Sequence, residues 1–286
     1  MSRTANRARV LVVLALLSGC VLAESALGAA SSPWAAVSAP SREPTQVIGG
    51  ASNGCVGGAE ALPEAGPGFV SVRRYRNRYY GHPELIRMLG DLGAAARAKG
   101  LDLVMVGDLS QPRGGRMPSS HRSHQNGLDA DIWFTLARTP AAAGRLMDDR
   151  DDPRSMVKPG GLFISDAWGP DQRFLLETAA RHPKVDRIFV NPAIKRAVCQ
   201  EVKGDRSWLR KLRPWFGHDA HFHLRLRCPP KSPQCHQQAP LPPGDGCGSD
   251  LAWWFSGEAR NPPKKSGQPK EEPAPPAACV TLLARP

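Results

Sequence analysis

Two short stretches of the 286-residue chain concentrate the side chains that bind metals or move protons. In SSHRSHQNGLDADIWF, residues 119–134, His121 and His124 stand three apart, and after a Gln-Asn-Gly turn signal Asp129 and Asp131 stand two apart. GHDAHFHLRLRC, residues 217–228, carries His218, His221 and His223, so five of the eight histidines fall in the two stretches. A lone histidine is usually a surface or core group; such clustering is not. Zinc takes neutral imidazole nitrogens and a carboxylate oxygen at roughly 2.0–2.2 Å, and a catalytic zinc keeps three protein ligands and one open position. His124, Asp131 and one histidine of the His221-Phe222-His223 triplet make such a set.

Those residues need rigid carriers. In GLDADIWF, Ala130, Ile132 and Phe134 alternate with Asp129 and Asp131, the period of a strand with one buried face. In HFHLRLR, Phe222, Leu224 and Leu226 alternate in the same way with His221, His223, Arg225 and Arg227. Two strands therefore present metal-binding groups to a common cleft. Around them the spacing predicts a helix in HPELIRMLGDLGAAARAKG, with Pro83 at its start and Gly100 as its stop. LDLVMVGD reads as a strand, QRFLLETAARH as a helix, VDRIFVN as a strand and PAIKRAVCQEV as a helix opened by Pro192. DRSWLRKLRP offers Asp205 as an N-cap and Trp208, Leu209 and Leu212 as a buried stripe. The predicted class is α+β: a small antiparallel sheet carrying the zinc site, flanked by helices and stabilised by disulfides.

The N-terminus has a different composition. Arg3, Arg7 and Arg9 precede the apolar run Val10–Leu17, which is far shorter than the ~20 residues of a membrane span and reads as an export signal. Leu17-Ser18-Gly19-Cys20 resembles a bacterial lipobox, which makes residues 1–19 a lipoprotein-type signal peptide and Cys20 the lipid-bearing residue. The chain is thereby expected in the periplasm, with a lipid anchor as its only membrane attachment. Seven cysteines occur in all, and setting Cys20 aside leaves Cys55, Cys199, Cys228, Cys235, Cys247 and Cys279. In an oxidising compartment these six close three disulfides, with fifteen pairings open. Residues 20–50, rich in Ala, Ser and Pro, read as a tether, residues 51–255 as the zinc-binding domain, and residues 256–286 as a Pro/Lys-rich tail pinned by Cys279. Removing residues 1–19 lowers the formal charge from +12 to +9. That charge attracts polyanions, here cell-wall carboxylates or anionic lipid head groups, and no nucleic-acid motif with interleaved aromatics is present.

Rival chemistries have weaker footing. Ser155-Met156-Val157-Lys158 matches SxxK, Lys265-Ser266-Gly267 mimics KTG, and Gly50-Ala51-Ser52-Asn53-Gly54 matches GxSxG. DDPRSMVKPGG reads as a loop, KSG lies in the Pro-rich tail, and no helix follows GASNG, so the contexts that make these motifs catalytic are missing. A metal-dependent nuclease is a further reading, suggested by charge alone.

At this point NRYYGHPELI, SHQNGLDADI, RIFVNPAIK, DRSWLRKLRPWFGHDAHFHLRLRCP and LPPGDGCG resemble the penicillin-insensitive murein endopeptidases, relatives of D-Ala-D-Ala peptidases and lysostaphin-type enzymes, over roughly residues 54–255. The resemblance implies one catalytic Zn2+ held by His124, Asp131 and His223, with His221 as the catalytic histidine and His121 and His218 as further residues around the metal. A second-metal Asp and His pair found in some members would fall near MVKPGGLFISDAW, where no histidine stands. The resemblance also implies the disulfides Cys55 with Cys279, Cys199 with Cys247, and Cys228 with Cys235. Its implied activity is hydrolysis of peptidoglycan cross-linking peptides at D-alanyl-meso-diaminopimelyl bonds by metal-activated water, with no protein nucleophile. A catalytically inactive peptidoglycan-binding protein of the same fold is the alternative. It would be favoured by loss of His124, Asp131, His221 or His223, and all four are present.

Overall fold

The computed structural model describes residues 32–118, 121–147, 152–262 and 272–285. The expected export signal and the lipid-bearing Cys20 lie outside the described residues. Among those described, no helix is long and apolar enough to cross a membrane.

The strands are β1 (Gln46–Gly50), β2 (Asn53–Gly57), β3 (Glu60–Ala61), β4 (Ala65–Gly66), β5 (Phe69–Ser71), β6 (Tyr80–Gly81), β7 (Leu103–Val106), β8 (Asp129–Ala137), β9 (Val185–Val190), β10 (Leu212–Pro214) and β11 (His221–Leu226). The helices are α1 (Pro83–Ala98), α2 (Pro140–Leu146), α3 (Pro170–Arg181), α4 (Pro192–Glu201), α5 (Ser249–Trp253), α6 (Gly257–Arg260) and α7 (Ala277–Ala284). One sheet of seven strands, in the order β10-β9-β11-β8-β7-β5-β4, forms the body. The sheet is wider than the small antiparallel one expected, and it is mixed: β10–β9 and β5–β7 pair in parallel. β5 and β10 have three residues each, too few to carry a readable alternation. Its centre matches the alternation, because β8 and β11 are antiparallel neighbours.

One face of that central pair makes the core. Ala130, Ile132 and Phe134 of β8 and Phe222, Leu224 and Leu226 of β11 join Leu85, Leu89 and Leu92 of α1, Leu175 and Leu176 of α3, and Ile194 and Val198 of α4. α1 forms where its apolar residues recur every three or four positions, and the His82 ring caps it by accepting the Glu84 N–H at 3.1 Å. Asn191 caps α4 in the same manner, accepting from the Ala193 N–H at 2.9 Å ahead of Pro192. DRSWLRK departs from expectation: Ser207–Lys211 is a 3-10 turn whose flanking residue is Arg206. β10 begins at Leu212, which leaves no length for an α-helix. Asp205 still accepts the Ser207 N–H at 2.9 Å, and Trp208, Leu209 and Leu212 are buried.

The folded body starts earlier than composition indicated. β1 lies within residues 20–50, assigned above to a tether, and a boundary at residue 51 would cut the β1–β2 hairpin at its turn. Trp34 is buried with Ile48, Cys55, Cys279 and Leu282. Five-residue strands rich in glycine leave little compositional trace, so a Pro/Ser/Ala-rich leader hides them. The tail is likewise tied down, through α6 and then α7, whose Cys279 bonds to Cys55. The other disulfides are Cys199–Cys247 and Cys228–Cys235, the pairs implied by the resemblance.

Candidate metal centre

The register of β8 and β11 sets the site. His223 lies opposite Asp131, Arg225 opposite Asp129, and His221 opposite Trp133. Because side chains alternate across a strand, the face that does not enter the core collects Asp129, Asp131, His221, His223 and Arg225. His121 and His124 arrive on the loop into β8, where the backbone turns at Gly127, φ +75°; a Cβ there would meet Val56 at 2.9 Å. His124 adopts a left-handed conformation, φ +68°, and His218 another, φ +47°. Non-glycine residues rarely take up this region, and those that do are held there by surrounding bonds. The His124 N–H donates to Asp129 Oδ2 at 3.0 Å, and the Gln125 N–H to the Ala51 carbonyl at 3.0 Å. The His218 carbonyl accepts the Asn191 N–H at 3.0 Å.

Asp131 is the hub. Its Oδ1 lies 3.4 Å from His124 Nε2, 3.5 Å from His223 Nδ1 and 3.8 Å from His221 Nε2, while its Oδ2 lies 3.7 Å from His121 Nδ1. Ligand atoms of His121, His124 and Asp131 all fall within 4.8 Å of one another. The His124 and His223 rings are 4.4 Å apart, and His218 stands 5.3 Å from His221 and 5.9 Å from His223. The structure thus gathers His121, His124, Asp131, His218, His221 and His223 in one cleft.

Burial and charge act against each other here. Desolvation would raise the Asp131 carboxyl, but His124 and His221 hold it well below the usual range. Burial would lower His124, yet Asp131 and then Asp129 raise it. His223 is pushed down to about 4, chiefly by burial, and His218 also to about 4, by burial and then by His221. Both are therefore neutral near pH 7, the state in which imidazole ligates a metal.

The buried polar atoms test whether a metal fits. His124 Nδ1 and Nε2, Asp131 Oδ1 and His223 Nε2 are sealed from solvent without a hydrogen-bond partner. Buried polar groups are almost always satisfied, so such a cluster of orphans calls for an unseen partner; the His223 Nε2 among them faces Asp129 Oδ2 at 3.4 Å, while its Nδ1 faces Asp131. Two imidazoles and a carboxylate form the nitrogen and oxygen donor set that zinc takes. The residues present fit the ion.

The sequence reading placed Asp129 and Arg225 on the polar strand faces but gave no role to them or to Asp108. Asp108, just beyond β7, accepts from Arg78 at 3.0 Å and Arg76 at 3.3 Å and bonds to His121 Nε2 at 3.0 Å. Asp129, fully buried, receives Arg225 in a fork, Nε at 2.6 Å and Nη2 at 2.9 Å. A charged residue closing an apolar strand run was the one available signal for Asp108; the Asp129 and Arg225 pairing across 96 positions had none. The rival serines are not built for catalysis: Ser155 sits outside any helix with its hydroxyl on the Asp219 carboxylate. Ser52 lies in the hairpin turn. Lys265 and Ser266 are outside the described residues.

The family model described as penicillin-insensitive murein endopeptidase matches residues 47–284. A penicillin-insensitive murein endopeptidase of Klebsiella pneumoniae is 42% identical over 280 residues, 96% of this chain and 97% of its own. That of Haemophilus influenzae is 45% identical over 248 residues, 84% of this chain and 82% of its own. That of Pectobacterium atrosepticum is 41% identical over 274 residues, 96% of each. Carrying a match of this extent together with the histidine and aspartate cleft on β8 and β11, the chain belongs to the penicillin-insensitive murein endopeptidase family.

Proposed function

We propose that the protein is a zinc-dependent peptidoglycan endopeptidase that cleaves the D-alanyl-meso-diaminopimelyl cross-links between stem peptides. The observation that carries the metal is the set of sealed, unpartnered atoms on His124, Asp131 and His223. These three hold the ion, and His121, bridged between Asp108 and Asp131, flanks it. When bound, zinc supplies Lewis acidity toward a peptide carbonyl and toward water. The protein's own groups do the rest. Asp129 and Arg225 fix His124 and face His223, whose Nε2 is 3.4 Å from Asp129 Oδ2. His221 is one-fifth exposed, rests against Trp133 at 5.0 Å and directs Nε2 toward Asp131 at 3.8 Å. At the cleft surface it is placed to take a proton at Nε2 and return it to the departing amine. Export, lipidation at Cys20 and residence in the periplasm complete the proposal, since the substrate lies outside the cytoplasm.

The test is digestion of purified peptidoglycan with and without chelator, products identified by mass. Cross-linked dimers should fall to monomers, chelation should stop the reaction, and β-lactams should not, because no acyl-enzyme forms. Inhibition with stoichiometric penicillin labelling would refute the assignment.

A further inference from the structure

Large apolar side chains left in solvent gather beside the cleft. Phe163 is 63% exposed, Trp215 55%, Trp253 48% and Phe216 44%. Trp254 joins three of them, its ring 6.2 Å from Trp215, 5.1 Å from Phe216 and 5.4 Å from Trp253. On the other side the Arg196 guanidinium lies 4.0 Å from the Phe255 ring centre and 5.3 Å from that of Phe163. Three chain segments make this surface, and all are tied in place. Arg260 donates to the Gly160 carbonyl at 3.3 Å, Arg196 donates to the Leu162 carbonyl, and Cys199–Cys247 anchors α4 to the stretch before α5. The rings are held open rather than collapsed into the core. Clustered apolar exposure of this kind marks a binding surface.

The surface runs directly into the catalytic cleft. Phe216 is followed by Gly217 and His218, and His218 stands 5.3 Å from His221. Trp215 also connects to the cleft through the Phe189 ring, 6.0 Å from its own, 6.3 Å from that of His218 and 5.3 Å from that of His223. A ligand seated on Trp215 and Phe216 therefore lies beside the catalytic histidines. Its chemistry must suit flat π faces rimmed by a guanidinium. A pyranose has that character, with an apolar C–H face that stacks on an aromatic ring and a rim of hydroxyls that accept from cationic donors. On the proposed function, the cross-links cleaved at the cleft hang from glycan strands, so saccharide is necessarily close by.

We infer that Trp215, Phe216 and Trp253 form a stacking platform for the glycan strand, seating the polymer while its peptide enters the cleft. This rests on the endopeptidase reading only for the identity of the polymer. The experiment measures binding of the full chain, with chelator present, to glycan strands stripped of their peptides. Turnover of a sugar-free cross-linked peptide dimer is measured in parallel. Trp215→Leu with Trp253→Leu should weaken glycan binding about tenfold or more, whereas Trp215→Tyr with Trp253→Tyr keeps most of it, since leucine is apolar but has no ring face. Trp253→Leu alone, checked by circular dichroism, covers the case in which the double variant does not fold. Dimer turnover should stay within about twofold of wild type. The inference is overturned if wild type does not bind stripped glycan, if leucine and tyrosine variants bind alike, or if the substitutions convert a dimer to a monomer without altering glycan binding. A wild type that binds stripped glycan yet cleaves no cross-link would end the catalytic reading and leave the platform standing.

Discussion

Asp129→Asn removes one charge from the centre of the molecule and almost no volume. The carboxylate serves three N–H groups, Arg225 Nε and Nη2 and the backbone of His124, and it is fully buried. Asparagine offers one acceptor oxygen and turns an NH2 toward a donor, leaving a guanidinium buried without its counter-charge. Removing one partner of a buried ion pair costs roughly 3–5 kcal/mol. At about 2–4 °C per kcal/mol for a chain of this size, the melting temperature should fall by roughly 6–20 °C. The His124 backbone also loses the bond that keeps it left-handed, so zinc affinity should fall about 10- to 100-fold, as when a partner behind a ligand is lost. Adding Arg225→Gln removes the unpaired cation; stability should largely return while zinc affinity stays low. Calorimetry of the disulfide-intact protein and competition with a zinc indicator read the two quantities. A melting point within about 3 °C of wild type for Asp129→Asn, which is about 1 kcal/mol, would refute the buried-pair argument. Recovery of zinc affinity in the double variant would refute the clamp on His124.

Other outcomes follow from the same geometry. His223→Ala should lose metal and activity together, whereas His221→Ala should keep metal but lose about 10²- to 10⁴-fold in rate; metal analysis with the roles reversed would exchange the two assignments. Cys20→Ala should move the protein from the membrane to the soluble periplasmic fraction, and a wild type already soluble with an N-terminus beyond residue 20 would exclude the anchor. Lys195 is buried, donates to the Leu209 and Asp245 carbonyls, and is pulled by desolvation to about 7. The unfolded lysine, near 10.4, binds more protons than the folded one across this window, so stability rises with pH, by about 2 kcal/mol from pH 7 to 9. Urea unfolding of Lys195→Met should lack that increment, and an equal rise in both proteins would assign it elsewhere.

The sequence made the site more legible than the frame around it. Alternation exposed β8 and β11 as strands with one polar face, because both are long enough for the period to repeat and both back onto the core. The helices from Pro83 and Pro192 were equally plain, each with its cap and its apolar spacing. Their pairing was another matter: nothing local says that His223 sits opposite Asp131, since register between strands some 90 residues apart is decided by packing. β4, β5 and β10, two or three residues long, exist because neighbouring strands pair with them. For the same reason Asp108 looked like the end of a strand until its contacts with His121, Arg76 and Arg78 were seen.

The Cys55–Cys279 bridge spans 224 positions and encloses the other two. A chain is delivered N-terminus first, so Cys55 emerges long before its partner, 224 positions further on. In the interval the next cysteine to follow it is Cys199. Oxidation in strict order of appearance would join Cys55 to Cys199 and strand Cys247 with Cys279, a side-by-side product that cannot close the β1–β2 hairpin onto α7. The native connectivity therefore demands either that Cys55 wait as a thiol until the first turn of α7 arrives, or that an early bond be reshuffled. The molecule cannot be locked shut until α7 has been delivered.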